Sequence, residues 1–254
     1  MSATDPDKIV VVIPALNEER AIRGVVESVL AICPHVIVID DGSTDATLER
    51  IADLPVTVIR HATPLGKGQG LRDGFRKALE RGFDAVIAMD GDGQHLAEDI
   101  PRMLAAARAH PEHIVIGARI RNKDNQPTAR RRANAVADWG ISWGCGIPVA
   151  DTQSGQRYYP RAALDLVDFP ADDFVFEAAL LIAATREKNI GVVSVPIDSR
   201  YHGEFRGSHF RPVRDVTRIT WYTIKRVVHY GSVVDSYRRS HSTPPLIFDP
   251  PADT

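Results

Sequence analysis

The stretch MDGDGQH, Met89 to His95, sets two carboxylates, an amide and an imidazole close together, spaced by glycines and preceded by the apolar run AVIA. Two carboxylates one residue apart on a turn, Asp90 and Asp92, can both reach one hard divalent cation. Gly91 and Gly93 let the backbone bend tightly, while Gln94 and His95 add neutral donors. Magnesium or manganese suits that donor set. An EF-hand is excluded, because Gln94 and His95 stand where its loop needs an acid or amide followed by glycine, and Pro101 stands at its twelfth position. Zinc asks for more His or Cys. A polar turn that favours the N-terminus of the next helix accounts for the same residues with less chemistry.

Two further stretches invite the same question. In DDGSTD, Asp40 to Asp45, Gly42 makes a turn and Ser43 or Thr44 can cap a following helix. Adjacent acids at a strand end exceed what capping needs, and a carboxylate there can accept from a nucleobase N–H or a ribose hydroxyl. LGKGQG resembles a phosphate loop but fits neither common template: it lacks the Walker spacing, and Leu71 takes the third glycine position of GxGxxG counted from Gly66. Its plain role is to start a helix.

The elements that must carry these residues are legible as an alternation. KIVVVIP, HVIVID, VTVIR, AVIAMD and HIVIGA are short apolar, β-branched runs of the kind buried on both faces of a parallel sheet. Between them, EERAIRGVVESVLAI, DATLERIADL, GQGLRDGFRKALERG and EDIPRMLAAARAH have helical spacing. Such an alternation predicts right-handed crossovers and a doubly wound, mainly parallel α/β sheet with helices on both faces. Ligands of such sheets bind beyond the carboxyl ends of the strands, so Asp40, Asp41, Asp90 and Asp92 should share one crevice. Beyond Arg119 the pattern loosens: RIRNKDNQPTARRRAN reads as a basic loop, DTQSGQRYYP as a polar turn, FVFEAALLIAATREK as a helix, and GVVSVPIDSRY as a strand with Pro196 near an edge. HGEFRGSHFRP reads as a basic loop and VRDVTRITWYTIKRVVHYGSVV as one amphipathic helix. No internal repeat is visible.

Composition limits the function classes. The 254 residues are 44% hydrophobic and 25% charged with a formal net charge of -2, which suits a soluble globular domain and excludes a globally basic nucleic-acid binder. Cys33 and Cys145 are far apart and have no zinc or disulfide spacing, as expected of buried thiols in a reducing compartment. MSATDPDK lacks the basic-then-apolar pattern of a signal peptide. No apolar run approaches the roughly 18 residues that span a bilayer. The expectation is a cytoplasmic protein, with peripheral contact at the inner membrane face left open by the C-terminal helix.

In their order and spacing, VVIPALNEE, VIVIDDGSTD, GKGQGLRDGF and AMDGDGQH resemble the GT-A-fold glycosyltransferases of family 2. The later GAR, FVFE, VPIDSRYHGE and FRGSHF look most like the dolichyl- or polyprenyl-phosphate mannosyltransferases and their bacterial relatives. The resemblance implies a GT-A domain with a Rossmann-like nucleotide-binding half over residues 8–210; the residues beyond it read as an amphipathic helical segment over 211–240 and a tail over 241–254 that is disordered or draped over the surface. It implies that Pro14, Leu16 and Glu18 line the base and ribose pocket and that Val38 and Asp40 hold the base. Asp90, Gly91 and Asp92 match the DxD segment, with Gln94 as accessory metal ligand to Mg2+ or Mn2+. Arg119 matches an arginine facing the phosphates, and Arg200 and Arg206 match an Arg and a Lys on a loop that closes over the pyrophosphate. Asp92, Arg119, Arg200 and Arg206 are thus the expected catalytic set. The metal and guanidiniums would stabilise charge that grows on the leaving nucleoside diphosphate.

The resemblance further implies inversion by a single displacement. A hydroxyl acceptor needs a general base, for which Asp151, Asp173 and Glu177 are candidates. A phosphate-monoester acceptor is already anionic and instead needs cations, for which Arg130, Arg131 and Arg132 are placed, with Ser154 and Arg157 as further acceptor contacts. A solvated basic loop is the plainer account of those arginines. Two departures from the mannosyltransferases bear on the acceptor: Arg130 in RRRAN replaces a serine, and Gln153 and Gln156 stand where that group is less polar. The expected function is transfer of a hexose from GDP-mannose or a UDP-hexose to a polyprenyl phosphate. Alternatives are transfer to a sugar hydroxyl in polysaccharide or glycolipid synthesis, and an inactive nucleotide-sugar-binding protein. No nucleic-acid partner is expected, since no aromatic platform is interleaved with the basic residues.

Overall fold

The computed structural model describes residues 6–121, 128–169, 175–198, 212–231 and 233–250. Seven strands form one sheet: β1 (Ile9–Ala15), β2 (Val36–Asp40), β3 (Thr57–Arg60), β4 (Ala85–Ala88), β5 (His113–Ala118), β6 (Arg157–Pro160) and β7 (Gly191–Pro196). Their order is β3-β2-β1-β4-β6-β5-β7. β1 to β4 run parallel, as do β5 and β7, while β6 lies antiparallel between β4 and β5. The order reverses between β1 and β4, so the switch-point crevice opens beyond the ends of those two strands.

The run IVVVI has no polar alternation because both faces of β1 are covered. Val10 and Val12 enter one buried cluster with Leu71, Phe75 and Phe176; Ile9, Val11 and Ile13 enter the other with Ile22, Val26 and Met103. The first face is covered by α2 (Lys67–Glu80), α4 (Thr128–Cys145) and α6 (Phe176–Glu187), the second by α1 (Ile22–Leu30) and α3 (Ile100–Ala109), with α5 (Arg161–Leu164) following β6. This is the GT-A arrangement expected from the sequence. Cys33 and Cys145 are free and buried, and burial pushes the Cys145 thiol up to about 12.

Several elements differ from expectation. DATLERIADL forms only a 3-10 turn at Glu49–Ile51, because its polar side chains are drawn into hydrogen bonds with the β1 loop. RIRNKDNQPTARRRAN is no continuous loop, since α4 begins at Thr128 and carries the three arginines. The polar turn DTQSGQRYYP ends in β6, whose Tyr158 and Tyr159 point into opposite core clusters and are wholly buried. Its four-residue length and leading arginine conceal a central strand. The C-terminal segment is two helices, α7 (Pro212–His229) and α8 (Val233–Ser242), parted at Gly231 with φ 65°. Of the two readings of the tail, residues 243–250 follow the draped one: Ser194 N–H donates to Leu246 O and Phe248 N–H to Ser194 O, each at 2.9 Å, so the segment covers part of the β7 edge. Asp249 is pinned there by Arg102 and, at 3.1 Å, by Arg121.

The element that matters most for the crevice is α2. A Cβ at Gly74 would lie 2.5 Å from Val12 Cγ1 and 2.8 Å from Ile39 Cδ1, and one at Gly70 3.3 Å from Ile39 Cγ2. The two glycines, four residues apart, let α2 lie close on β1 and β2. Gly74→Val is expected to destabilise by about 1–3 kcal/mol through overpacking, read as a lowered Tm. Gly24→Ala, whose methyl meets nothing within 4 Å, should not lower it.

Candidate active site

The loops after β1 and β2 are laced into one wall. Asn17 N–H donates to Ser43 Oγ (2.9 Å), Glu18 N–H to Thr47 Oγ1 (2.8 Å) and Glu19 N–H to Asp45 Oδ2 (3.2 Å). In return, Thr44 N–H donates to Asn17 Oδ1 (2.8 Å) and Ala46 N–H to Glu19 Oε2 (3.2 Å). Ser43 and Thr44 therefore bind the neighbouring loop and cap no helix. Pro14, Leu16 and Glu18 line this wall half-buried. Asp40 is fully buried: Oδ1 accepts from Ser43 N–H at 3.2 Å, whereas Oδ2 has no hydrogen-bond partner and lies 3.5 Å from Arg60 Nε. Val38 is fully buried in the core cluster with Ile13 and Ile22 and presents no surface to a ligand, which corrects its expected contact with a base.

Asp41 has a constructive role that its sequence position did not reveal. Its Oδ1 accepts from Leu65 N–H (2.7 Å) and lies 2.7 Å from His61 Nδ1, and Oδ2 accepts from Gly66 N–H (2.8 Å). Gly66, at φ 96°, then turns the chain into α2. LGKGQG does start a helix, as read, but its first helical residue also enters the site. Lys67 Nζ lies 2.7 Å from Asp90 Oδ1 and 3.1 Å from Glu177 Oε2. Sequence reasoning missed Lys67 because Glu177 is over a hundred positions away; the only signal was a cation beside glycines that place a backbone.

The DGD turn stands at the switch point. Met89 N–H donates to Val12 O (3.1 Å), fixing the turn to β1, and a Cβ on Gly91 would approach Pro14 O to 3.2 Å. Asp92 accepts Gln94 N–H at Oδ1 (2.9 Å) and the Gln94 side-chain amide at Oδ2 (2.8 Å). Burial alone would raise the Asp90 pKa, but the Lys67 ammonium outweighs it and holds the carboxyl below its usual range. His95 is buried with Nε2 3.8 Å from Asp90 Oδ2; burial lowers it to about 4, so the imidazole is neutral near pH 7. The hard oxygens of Asp90 and Asp92 suit a magnesium- or manganese-type ion. Among the described residues, however, no three His, Cys, Asp or Glu side chains converge to hold one. An ion there would complete its shell with water or with oxygens of a bound substrate.

The opposite wall is built by the Asp151–Gln156 segment. Asp151, at φ 49°, accepts from Arg119 N–H (2.7 Å), Nε (2.8 Å) and Nη2 (2.7 Å), both side chains being 8% exposed. Burial would raise the Asp151 pKa, but Arg119 outweighs it and leaves the carboxyl lowered. This carboxylate is an arginine anchor, which corrects its candidacy as general base. Arg157 is buried and donates to Ser154 O (2.8 Å), Thr152 O (2.6 Å) and Glu177 O (3.4 Å). It braces the turn from within, and Ser154 is likewise fully buried; neither is an acceptor contact as expected. A Cβ on Gly155 would fall 2.3 Å from Asp90 Oδ2, so the glycine lets this segment close against the DGD turn. Glu177 stands at the start of α6 with its carboxylate on Lys67. Arg131 is exposed on α4. Asp173, Arg200 and Arg206, and the side chains of Arg130 and Arg132, lie outside the described residues.

Residues 10–169 match the model of glycosyl transferase family 2. The chain is 30% identical over 220 residues to a UDP-N-acetylglucosamine–dolichyl-phosphate N-acetylglucosaminyltransferase of Methanococcus voltae, covering 77% of this chain and 87% of that one. It is also 30% identical to a polyprenol monophosphomannose synthase of Mycolicibacterium smegmatis, covering 75% and 76%. Among solved structures, a Mycobacterium tuberculosis glucosyl-3-phosphoglycerate synthase with Mn2+, UDP and glucosyl-3-phosphoglycerate aligns with a TM-score of 0.61 at 25% identity, over 88% of this chain and 79% of that one. With its acidic turn set at the switch point of a GT-A sheet, the chain belongs to glycosyltransferase family 2.

The buried Arg119–Asp151 pair generates a prediction. Asp151→Asn leaves a buried guanidinium without its counter-charge and is expected to cost about 3–5 kcal/mol at neutral pH. Since the folded pKa is lowered, the pair's contribution is fully present above the ordinary carboxylate pKa and is lost as pH falls through the folded value. The Tm difference between wild type and Asp151→Asn should therefore shrink in that acid window and stay constant above it.

Proposed function

We propose that this enzyme transfers a hexose, with inversion, from a nucleoside-diphosphate sugar to a polyprenyl phosphate. The observation that carries the acceptor class is the engagement of Asp151, whose two carboxylate oxygens are both held by the buried Arg119. A sugar hydroxyl must lose a proton to a base, whereas a phosphate monoester brings an anionic oxygen of its own. The named relatives that act on dolichyl or polyprenyl phosphate support the same reading.

In this reading a phosphate oxygen of the acceptor forms a bond to the anomeric carbon as the bond from that carbon to the nucleoside diphosphate breaks. The leaving group departs with the electron pair, and no proton changes hands. The half-buried wall of Pro14, Leu16 and Glu18 receives the nucleoside, while Asp40, fully buried with Oδ2 3.5 Å from Arg60 Nε, holds the loop after β2 through Ser43 N–H. Asp90 and Asp92 would hold a divalent ion, which would offset charge on the pyrophosphate. Arg119, held by Asp151, shapes the wall of the site, and Arg200 and Arg206 are assigned to the pyrophosphate.

A long-chain acceptor also asks for contact with a membrane surface. Among the described residues no helix is long and apolar enough to cross a bilayer. α7 instead has two apolar faces: Ile219, Tyr222 and Val227 pack on the protein, while Trp221, Ile224 and Val228 are exposed, with Lys225 Nζ 5.3 Å from the Trp221 ring centre. Aromatic and basic residues side by side suit an anionic bilayer interface, and we assign this face to peripheral binding at the inner membrane surface.

The function is tested by incubating the protein and Mn2+ with labelled GDP-mannose, UDP-glucose or UDP-N-acetylglucosamine and either undecaprenyl phosphate or a free saccharide. Label should enter the lipid phosphate from one donor; transfer to the saccharide alone overturns the reading. A donor present at about 100 times its Kd should also add about 2.7 kcal/mol of stability. Separately, Trp221→Glu should reduce co-sedimentation with phosphatidylglycerol vesicles and leave the donor-induced thermal shift unchanged.

A further inference from the structure

Lys67 is no wandering surface lysine. Its backbone is set by the positive φ of Gly66, by the two N–H groups that Asp41 holds just before it, and by the close seating of α2 through Gly70 and Gly74. Its ammonium is thereby delivered between two carboxylates of different elements, Asp90 after β4 and Glu177 on α6, at 2.7 and 3.1 Å. The side chain is 40% exposed, so it reaches the acids from the crevice and has room to withdraw into it. The other acid of the turn, Asp92, is meanwhile occupied by two N–H groups of Gln94.

We propose that Lys67 acts as a tethered counter-ion of the donor site: in the empty enzyme it pairs with Asp90 and with Oε2 of Glu177 in place of a free metal ion, and makes divalent-ion binding depend on the nucleotide. This rests on the donor-site reading above and deepens it. The argument is electrostatic. A divalent cation on Asp90 must share that carboxylate with an ammonium already 2.7 Å from it, and two positive charges so close repel in a partly dry crevice. Among the described residues no three His, Cys, Asp or Glu side chains converge to hold the ion against that repulsion. An arriving nucleoside diphosphate changes both conditions, because its oxygens complete the ion's shell and its negative charge gives the ammonium a second partner. Nucleotide and ion then tighten one another's binding, by the same factor in each direction. Without Lys67, Asp90 and Glu177 would lose the cation that now lies between them, leaving a more attractive place for a stray cation. Lys67 is on this account a positioning and gating residue.

The test is Mn2+ affinity of the full chain, read by the EPR signal of free Mn2+, with and without UDP or GDP. Wild type is expected to bind Mn2+ weakly alone and at least about fivefold more tightly with one nucleotide, within the usual range of coupling between sites. Lys67→Met should bind Mn2+ alone at least about fivefold more tightly than wild type, with the nucleotide enhancement reduced. Lys67→Arg, which keeps the charge, should behave as wild type. Should the Met variant melt early, Lys67→Gln serves for the same comparison. If removing the charge leaves Mn2+ affinity unchanged or weaker while wild type retains its coupling, this inference alone is overturned. If wild type binds Mn2+ no better with either nucleotide, the donor-site reading falls with it.

Discussion

Like charge crowded at the carboxyl edge of a parallel sheet is the constraint that the rest of the site answers. Asp40, Asp41, Asp90 and Asp92 end or follow strands that flank β1, and each is matched by a different device. Asp40 is met by a backbone N–H and the nearby Arg60, Asp41 by two N–H groups and His61, Asp90 by Lys67, and Asp92 by Gln94. A buried carboxylate without such partners would be costly in a low-dielectric crevice. Much of the geometry of these loops is therefore compensation for charge, and the same compensation shapes the pocket.

The compensation also ties distant elements together. Because Asp41 holds the chain just before α2, the second strand controls where Lys67 stands. Lys67 in turn links the donor half of the molecule to α6. On the other side, Arg157 joins the Asp151–Gln156 turn to the start of α6 through carbonyl oxygens, and Gly155 lets that turn press on Asp90. The antiparallel strand β6 is what makes this closure geometrically available, since it returns the chain across the sheet beside β4 and delivers the turn to the same edge as the DGD segment.

Burial decides which charged side chains can act on a ligand. Arg119 with Asp151, and Arg157 with its three carbonyls, are largely withdrawn from solvent and shape the walls; Lys67 and Asp90 remain partly open and face the crevice. Sequence position does not separate these groups, because an arginine in a polar turn looks the same whether its donors point inward to backbone oxygens or outward to a phosphate. The acceptor assignment rests on this distinction.

The sequence by itself determined the strands of the first half and the helices between them apart from DATLERIADL, because runs such as IVVVI and VIVID can be buried only on both faces. It also determined the acidic turn at the switch point, because carboxylates and glycines at that spacing are local in the chain. It did not determine β6, whose four residues carry too little periodicity, nor the break of the C-terminal helix at Gly231, nor the docking of residues 246–249 on β7. The roles of Lys67, Asp151 and Arg157 were decided only by tertiary structure. Each depends on a partner brought close by folding, and a charge's function is fixed by that partner and by how much water remains around the pair.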